Sequence, residues 1–510
     1  MMRPGAGLAI CALIVLIGCS STPLPSATAS PSPAPTTSPT PSATPAPTTS
    51  PTPTSTPGPT ATAVPTPTGA QPSPTPHPAT GLVVDTALIA GHLDALMAIA
   101  DQNDGIRAAG TPGYDASADY VAQQMTTLGF QTERQPFDFP FYDETAPVTL
   151  TVGDATWSSP EWLHAALYSA SGDVEAPLEW VGRESDTNGC DDSDWSAFTS
   201  GHVAMVESGG CYTRQKVELA QSAGAVAMIS FYPSWEKDQI KRPTLLDPAG
   251  VTIPVVAAGR DPWATLADAD GATARVSVHG DSHVATVDNV IATLPGTTDR
   301  VVMLGGHLDS VLDGPGINDN GSGVATLLAL AASIAAQPQA VATIRIGFWS
   351  AEEFGDLGSA DYVSRLSSDG LSRISAYLNL DMVGSPNPGR FVYDEPTSPT
   401  GSDELTQSLL TALEALGAPA RALDLGGGSD HFAVGQAGIP VGGVFSGLDP
   451  MAPEDAPLFG GIALAPMDPC YHLACDTPDN VDLDSAALLG QAIANVLERL
   501  AYAVARLAGG

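Results

Sequence analysis

Apolar positions along the chain change their spacing several times, and each spacing predicts a different kind of element. Over residues 86–100 they recur every three or four positions, which predicts an amphipathic helix. A second stretch of this kind runs over residues 114–128 and stops at Gly129, a residue type that often follows the end of a helix. We expect both helices to pack against a sheet formed by later residues.

The stretch 146–285 has a different character, because short β-branched runs alternate with Gly, Asp and Pro. A clear helix is predicted near residues 215–222. Strands are predicted at 148–152, 203–206 and 255–257. We interpret this stretch as a β-rich domain that is inserted into a larger one.

From Val287 onward, apolar strands and helices alternate along the chain. Alternation of this kind predicts an α/β fold, a three-layer sandwich around a mostly parallel mixed sheet. Functional sites in such folds collect at the carboxyl ends of the strands. The predicted strands are 301–304, 343–348, 377–381 and 441–445, and the predicted helices are 323–336 and 485–507.

The first 80 residues cannot contribute to a packed core. Residues 1–19 have the pattern of a secretory signal, with Arg3 before an apolar run at 8–17 that is too short to cross a membrane. The run ends near Cys19 in a sequence that resembles the cleavage box of bacterial lipoproteins, where the Cys becomes the lipidated first residue. Residues 20–80 are almost entirely Pro, Thr, Ser and Ala, which predicts a disordered stalk. We therefore expect a lipid-anchored protein on the extracellular side of a bacterial cell envelope; ordinary signal cleavage with an incidental Cys19 is the alternative.

The net charge of the chain excludes some classes of binding partner. With 56 acidic and 19 basic residues, the formal net charge of the 510-residue chain is -37. Such a charge argues against nucleic-acid binding and against adhesion to anionic lipid, so the predicted membrane contact is the N-terminal anchor alone. The remaining residues are too many for one simple core, and two or more compact units are expected. The oligomeric state stays open.

Four cysteines outside the signal fall in two close pairs, Cys190 with Cys211 and Cys470 with Cys475. In an exported protein, disulfides are the default interpretation of such pairs.

Acidic and histidine side chains follow the predicted strands at the point where each strand ends. Taken singly, each has an ordinary interpretation: a structural His, a helix N-cap for Asp319, or a solvated helix start for the adjacent Glu352 and Glu353. The whole set is His307, Asp309, Asp319, Glu352, Glu353, Asp381 and His472. Nitrogen and oxygen ligands without thiolate suit zinc in an open catalytic site, and a bridging carboxylate lets two metals act on one water.

Five short segments carry a specific resemblance, and they occur in a fixed order. The segments are GGHLDS at 305–310, GINDNGSG at 316–323, AEEFG at 351–355, NLDMVG at 379–384 and CYH at 470–472. They resemble the secreted bacterial di-zinc aminopeptidases, relatives of glutamate carboxypeptidase and of the transferrin receptor ectodomain. The stretch 201–224 resembles a protease-associated domain. The resemblance implies the zinc exopeptidase fold, with peptidase parts at 82–145 and 286–508 and the inserted domain at 146–285.

The resemblance also implies a role for each site residue. His307 and Asp381 would hold one zinc ion, and Asp319 would bridge it to a second. Glu353 and His472 would hold that second ion.

Further roles follow from the same resemblance. Glu352 would be the general base, and Asp309 would be the partner of His307 outside the metal sphere. The Cys470 and Cys475 pair would form a disulfide that frames the loop carrying His472, with zinc–thiolate ligation as the alternative. The peptide bond between Asp319 and Asn320 would be cis.

The expected function is hydrolysis of N-terminal residues from peptides by a water molecule that two zinc ions activate. A carboxypeptidase on the same scaffold would need a basic pocket, and no dense Arg cluster lies near the site segments. A glutaminyl cyclase would use a single zinc, and a receptor-like surface protein would have lost ligands. One departure concerns substrate binding, because three glycines precede Ser429 where some members carry an Arg.

Overall fold

The computed structural model describes residues 81–183 and 185–502. The predicted signal at 1–19, the lipidation site Cys19 and the stalk at 20–80 lie outside the described residues. So do the last five residues of the helix predicted at 485–507. Within the described part of the chain, no helix is both long and apolar enough to cross a membrane.

The predicted helices and strands lie close to observed ones, except that the strand predicted at 148–152 is the end of the much longer β1. The α-helices are α1 (Thr86–Asp101), α2 (Pro112–Thr127), α3 (Thr213–Ala223), α4 (Arg260–Leu266), α5 (Gly321–Ala335), α6 (Leu357–Ser364), α7 (Ser368–Arg373), α8 (Ser402–Ala415), α9 (His431–Gln436), α10 (Ala456–Phe459) and α11 (Leu483–Tyr502). The strands are β1 (Gln131–Val152), β2 (Ala155–Ser158), β3 (Leu163–Ala165), β4 (Gly172–Trp180), β5 (Val203–Glu207), β6 (Ala227–Phe231), β7 (Val255–Ala258), β8 (Thr273–Leu294), β9 (Val301–His307), β10 (Thr343–Trp349), β11 (Ile374–Leu380), β12 (Phe391–Tyr393), β13 (Arg421–Leu423) and β14 (Val441–Phe445).

The larger part of the chain is built around a mixed sheet with strand order β13-β12-β14-β11-β9-β10-β8-β1. Its centre is parallel, because β9 pairs in parallel with both β10 and β11, and β11 pairs in parallel with β14. Every residue of β9 is buried, which matches its run of apolar residues and glycines. The predicted mostly parallel mixed sheet is confirmed.

Helices cover both faces of this sheet. On one face α5 packs against α1 and α11, and α8 packs against α11. Helix α5 is apolar on nearly all sides because it lies between the sheet and this outer pair of helices. On the other face α6 packs against α9, which contacts β11 and β14. The predicted three-layer sandwich is therefore confirmed.

The inserted part is a smaller α/β unit in which β4, β5, β6 and β7 pair in parallel. Two strands of 22 residues each, β1 and β8, connect it to the sandwich and pair with each other from Gln131↔Thr293 to Val152↔Ala274. The boundaries proposed from the sequence at 145/146 and 285/286 fall inside these strands. The insertion is thus reached through hydrogen-bonded strands rather than through loops.

Candidate metal centre

The predicted site residues meet at one edge of the sheet. Strands β9, β10 and β11 are parallel neighbours, so their carboxyl ends lie side by side. His307 is the last residue of β9, Glu352 and Glu353 follow β10, and Asp381 follows β11. His472 arrives on the loop before α11 and completes the cluster.

Asp319 lies between two imidazoles. Its Oδ1 is 3.1 Å from Nε2 of His307, and its Oδ2 is 3.1 Å from Nε2 of His472. The N-cap of α5 is Asn320, whose side chain accepts the N–H of Gly323, so Asp319 is free of the capping role. The Asp319–Asn320 peptide bond is cis, as the resemblance implied. The two carboxylate oxygens of Asp319 therefore face two different histidines.

Each imidazole has a second carboxylate beside it. Asp381 Oδ1 is 3.3 Å from His307 Nε2, and Glu353 Oε2 is 3.1 Å from His472 Nε2. Two overlapping groups have ligand atoms within 4.8 Å of one another, namely His307 with Asp319 and Glu353, and His307 with Glu352 and Asp381. Because His307 belongs to both groups and its Nε2 can bind only one cation, this spacing indicates one continuous metal-binding region rather than two separate complete sites.

Buried polar atoms in this cluster have no hydrogen-bond partner within the described residues. These atoms are His307 Nε2, Glu353 Oε1 and Asp381 Oδ1. Burial of a polar atom without a partner is costly, and a coordinated cation removes that cost. The donor set contains imidazole nitrogen and carboxylate oxygen only, which zinc accepts readily. The residues present fit a zinc centre.

The pKa values in the cluster show a strong attraction for positive charge. Burial lowers the pKa of His472, but Glu353 and Asp319 outweigh burial and raise it to about 10. Burial likewise lowers the pKa of His307, while Glu352 and Asp381 lead the charges that raise it well above its usual value. Protons and metal cations compete for the same ligands, so this field favours a bound metal.

Asp309 supports the site from behind. Its two carboxylate oxygens accept the backbone N–H groups of Glu352, at 3.2 Å, and Glu353, at 3.4 Å. His307 Nδ1 lies 3.1 Å from the backbone carbonyl of Asp309 and 3.7 Å from its carboxylate. The position of Asp309 thus orients the imidazole mainly through its carbonyl and the two glutamates through its carboxylate.

Several residues that hold the site were not predicted from the sequence. Asp476 accepts the backbone N–H groups of Asn318 and Asp319, at 2.8 and 3.0 Å. Ser429 donates to Asp381 Oδ2 at 2.7 Å. His431, two residues later, pairs with Glu395. No local pattern marks Asp476 or Ser429, since their partners are distant in the chain.

Arg107 is a further residue that supports the site and was not predicted from the sequence. It is fully buried, and its guanidinium donates to the carbonyls of Leu308, Pro315 and Gly316, the last two at 2.9 and 2.6 Å. Burial lowers its pKa to about 10, although carboxylates led by Asp309 oppose the shift. Arg107 therefore fixes the loop that runs from Asp309 to Asp319.

We expect Arg107→Met to lower the free energy of unfolding by about 2–5 kcal/mol, because three buried carbonyls lose their donor. Urea unfolding of the metal-free protein measures the effect. Arg365→Met is the matched control, since Arg365 directly follows α6, is exposed, and pairs with Asp361 and with the carbonyl of Pro136. That control should change stability by less than about 1 kcal/mol. Equal losses in both variants would show that Arg107 does not support the loop.

Both predicted cysteine pairs form disulfides. Cys470 and Cys475 close the loop that carries His472, and Cys190 is bonded to Cys211 in the inserted part. The zinc–thiolate alternative for Cys470 and Cys475 is therefore wrong. His472 has a φ of 61°, a backbone conformation that few residues adopt and that this closed loop holds.

Two cavities open next to the cluster. The smaller has a volume of about 350 Å³ and is lined by Asp381, Asp424 and Asp449 together with apolar side chains. Its apolar lining consists of Met382, Leu423, Leu425, Phe445 and Leu448. The larger has a volume of about 790 Å³ and lies between the cluster and the inserted part, which contributes Lys241 and Trp235. Glu352 and His472 line both cavities, so the cluster lies between them.

An α/β sandwich with a cluster of imidazole and carboxylate side chains at the ends of its central parallel strands is typical of metal-dependent hydrolases. Residues 289–497 match the sequence profile of peptidase family M28, and residues 173–266 match that of the PA domain. A probable lipoprotein aminopeptidase of Mycobacterium tuberculosis, LpqL, is 38% identical over 425 residues, which is 81% of this chain and 84% of that protein. An aminopeptidase of Pseudomonas aeruginosa is 35% identical over 79% of this chain and 78% of its own length. The chain belongs to peptidase family M28 and contains an inserted PA domain.

A comparison with a solved structure supports the same family assignment. A zinc aminopeptidase from Bacillus subtilis superposes with a TM-score of 0.65 and 25% identity, over 83% of this chain and 97% of that protein. The family resemblance found in the sequence is thereby confirmed.

Proposed function

We propose that this protein is a zinc aminopeptidase that removes N-terminal residues from peptides with a two-metal centre. In this proposal His307 and Asp381 bind one zinc ion, and Asp319 bridges it to the second. Glu353 and His472 bind the second ion. The opposed contacts of Asp319 Oδ1 and Oδ2 with the two histidines support the bridging role.

The negative charge of the smaller cavity is the observation that favours an aminopeptidase over a carboxypeptidase. Among the described residues, its lining outside the proposed metal centre contains Asp424 and Asp449 but no Lys or Arg. Such a cavity attracts the ammonium group of a peptide N-terminus and repels a C-terminal carboxylate. A carboxypeptidase would need the opposite charge there. The names of the relatives from Mycobacterium tuberculosis and Pseudomonas aeruginosa agree with this choice.

The residues around the cluster suit the chemistry of hydrolysis. When bound, two zinc ions would acidify a water molecule and polarise the scissile carbonyl. Glu352 is placed to take a proton from the attacking water and to return it to the leaving amine. Burial raises the pKa of Glu352 well above its usual value. The cluster has enough imidazole and carboxylate donors for two zinc ions, which argues against the one-zinc cyclase and against a receptor without ligands.

A tripeptide tests this function, because the two kinds of exopeptidase release different products from it. The zinc-loaded protein should release leucine from Leu-Gly-Phe and from its C-terminal amide. N-acetylation should block the reaction, since the ammonium group is lost. Release of phenylalanine from the acetylated peptide would instead establish a carboxypeptidase.

The same cavity predicts which N-terminal residues are poor substrates. We expect kcat/KM for a glutamyl anilide to be at least about 10-fold below that for a leucyl anilide, because Asp424 and Asp449 repel a second carboxylate. The apolar lining favours leucine. The double variant Asp424→Asn, Asp449→Asn should reduce the difference in kcat/KM between the two anilides. Equal rates for the two anilides with the unaltered protein would contradict this assignment of the cavity.

We also propose a lipid anchor at Cys19, on the sequence of the signal region and on the name of the Mycobacterium tuberculosis relative. Cys19→Ser should move the protein from the membrane fraction to the soluble fraction. Its specific activity should stay the same, because the anchor precedes the whole catalytic region in the sequence. Membrane association that survives the substitution would contradict the anchor.

A further inference from the structure

Lys241 is an unusual cation at the larger cavity. It belongs to the inserted part, is partly buried, and lines the cavity together with Glu353 and His472. Its Nζ lies 4.4 Å from the ring centroid of Tyr471 and 6.0 Å from that of Trp235. No hydrogen bond or salt bridge to Lys241 occurs within the described residues. Its ammonium group thus contacts aromatic faces but has no anion as a direct partner.

The position of Lys241 is fixed by its neighbour in the chain. Arg242 binds Asp313 through Nε at 2.6 Å and Glu144 through Nη1 at 2.9 Å. Asp313 lies on the loop that leads from β9 to Asp319. The ion pair between Arg242 and Asp313 therefore joins the inserted part directly to this loop. Lys241 is therefore held at the cavity by an anchored segment rather than by a free loop.

Lys241 is also close to the metal cluster. The ring of Tyr471 stacks on that of His472, with centroids 3.8 Å apart, and Lys241 lies over the same Tyr471. One aromatic ring therefore separates the ammonium group from a predicted zinc ligand. An anion bound by Lys241 would therefore lie close to the metal cluster.

The carboxylates around Lys241 leave its ammonium group available. Burial lowers the pKa of Lys241, and Asp468, Asp449 and Asp319 oppose that shift. Asp468 already accepts hydrogen bonds from Asn318 and Asn480, and Asp319 faces the two histidines. A partly desolvated cation without a direct anionic partner gains most from an anion that enters the cavity.

We propose that Lys241 binds the C-terminal carboxylate of dipeptides, which makes dipeptides the preferred substrates. The proposal rests on the proposed function. With the N-terminal ammonium in the acidic cavity, the leaving part of the peptide lies in the cavity of Lys241. One extended residue spans about 3.5 Å, so a dipeptide carries its carboxylate one residue beyond the scissile bond. A longer chain has a neutral amide at that place.

The test compares kcat/KM for Leu-Ala with that for its amide, using the zinc-loaded protein. We expect the free acid to be preferred by about 10-fold, the scale of a charge-assisted hydrogen bond, mainly through KM. In Lys241→Met the ratio should fall to near one, and Lys241→Gln serves the same purpose if the methionine variant folds poorly. Lys241→Arg should keep a ratio well above one because the charge remains.

Lys237→Met is the matched control, since Lys237 is exposed, pairs with Glu161 and lies outside both cavities. It should keep the original ratio. Equal kcat/KM for acid and amide in the unaltered protein, or an unchanged ratio in Lys241→Met, would overturn the role of Lys241 and leave the aminopeptidase intact. Failure to release leucine from any of these peptides would overturn the proposed function, and the role of Lys241 with it.

Discussion

Replacing Glu352 by Gln lowers kcat by about 10²- to 10⁴-fold and leaves the metal content of the protein unchanged. Glu352 lines both cavities, and its Oε2 is 3.8 Å from His307 Nε2, which is longer than the corresponding contacts of Asp319 and Asp381. A carboxylate in this place is better suited to reach a reacting water than to act as a ligand, although its oxygen lies within the wider group of candidate ligands. Gln keeps the size of the side chain and removes its basicity.

Glu353→Gln is the control for this prediction, because the adjacent carboxylate is assigned to metal binding. Its Oε2 is 3.1 Å from His472 Nε2, so the neutral amide should lower the zinc content as well as the rate. Elemental analysis after gel filtration and initial rates on a leucyl anilide separate the two effects. If both variants lost metal, or both kept it, the division of roles between Glu352 and Glu353 would be wrong.

Replacing Asp319 by Asn should have the broadest effect, because one side chain serves both metal positions. We expect zinc affinity to fall by more than about 10²-fold, since loss of a partner outside the metal sphere alone costs 10- to 100-fold. An Asn side chain offers a single carbonyl oxygen, and its NH₂ group would point at one of the cations. Activity on the leucyl anilide should fall to background at zinc concentrations that saturate the unaltered protein.

Asp424→Asn is the control for Asp319→Asn, because Asp424 lines the smaller cavity without belonging to the cluster. It should bind zinc as the unaltered protein does in a titration of the metal-free form. A variant Asp319→Asn that binds zinc with unchanged affinity would contradict the bridging role.

The grouping of the candidate site residues could be predicted because most of them follow the ends of strands. A short apolar strand followed by His307, by Glu352 and Glu353, or by Asp381 is a local signal, and parallel pairing brings such ends together. The role of Asp319 was inferred from the resemblance of the segment at 316–323, because Asp319 does not directly follow a strand. These features require only the sequence of each strand and the loop after it.

The supporting residues could not be predicted, because their partners are far away in the chain. Arg107 holds carbonyls about two hundred residues later, and Asp476 holds Asn318 and Asp319 from the other direction. Lys241 reaches the cavity from the inserted part. We found no dense Arg cluster near the site segments, and the structure brings cations there from positions 107, 241 and 242 instead. Contacts of this range leave no periodicity in a sequence.

The length of the two connecting strands was also missed. Residues 131–145 contain Pro136 and Pro140, and proline within a strand usually indicates an edge or a break. Here β1 pairs with β8 along almost its whole length and lies at the edge of the sandwich sheet. The edge position explains why prolines are tolerated, and the sequence pattern alone could not reveal the partner strand.

Zinc reconstitution of the metal-free protein tests the central claim most directly. Leucine release from Leu-Gly-Phe is followed while zinc is added, and the bound metal is measured at each step. We predict that two zinc ions bind per chain and that activity reaches its plateau only when both sites are filled, because Asp319 couples the two positions. Full activity with one bound ion, or leucine release that does not depend on added metal, would contradict the two-metal aminopeptidase.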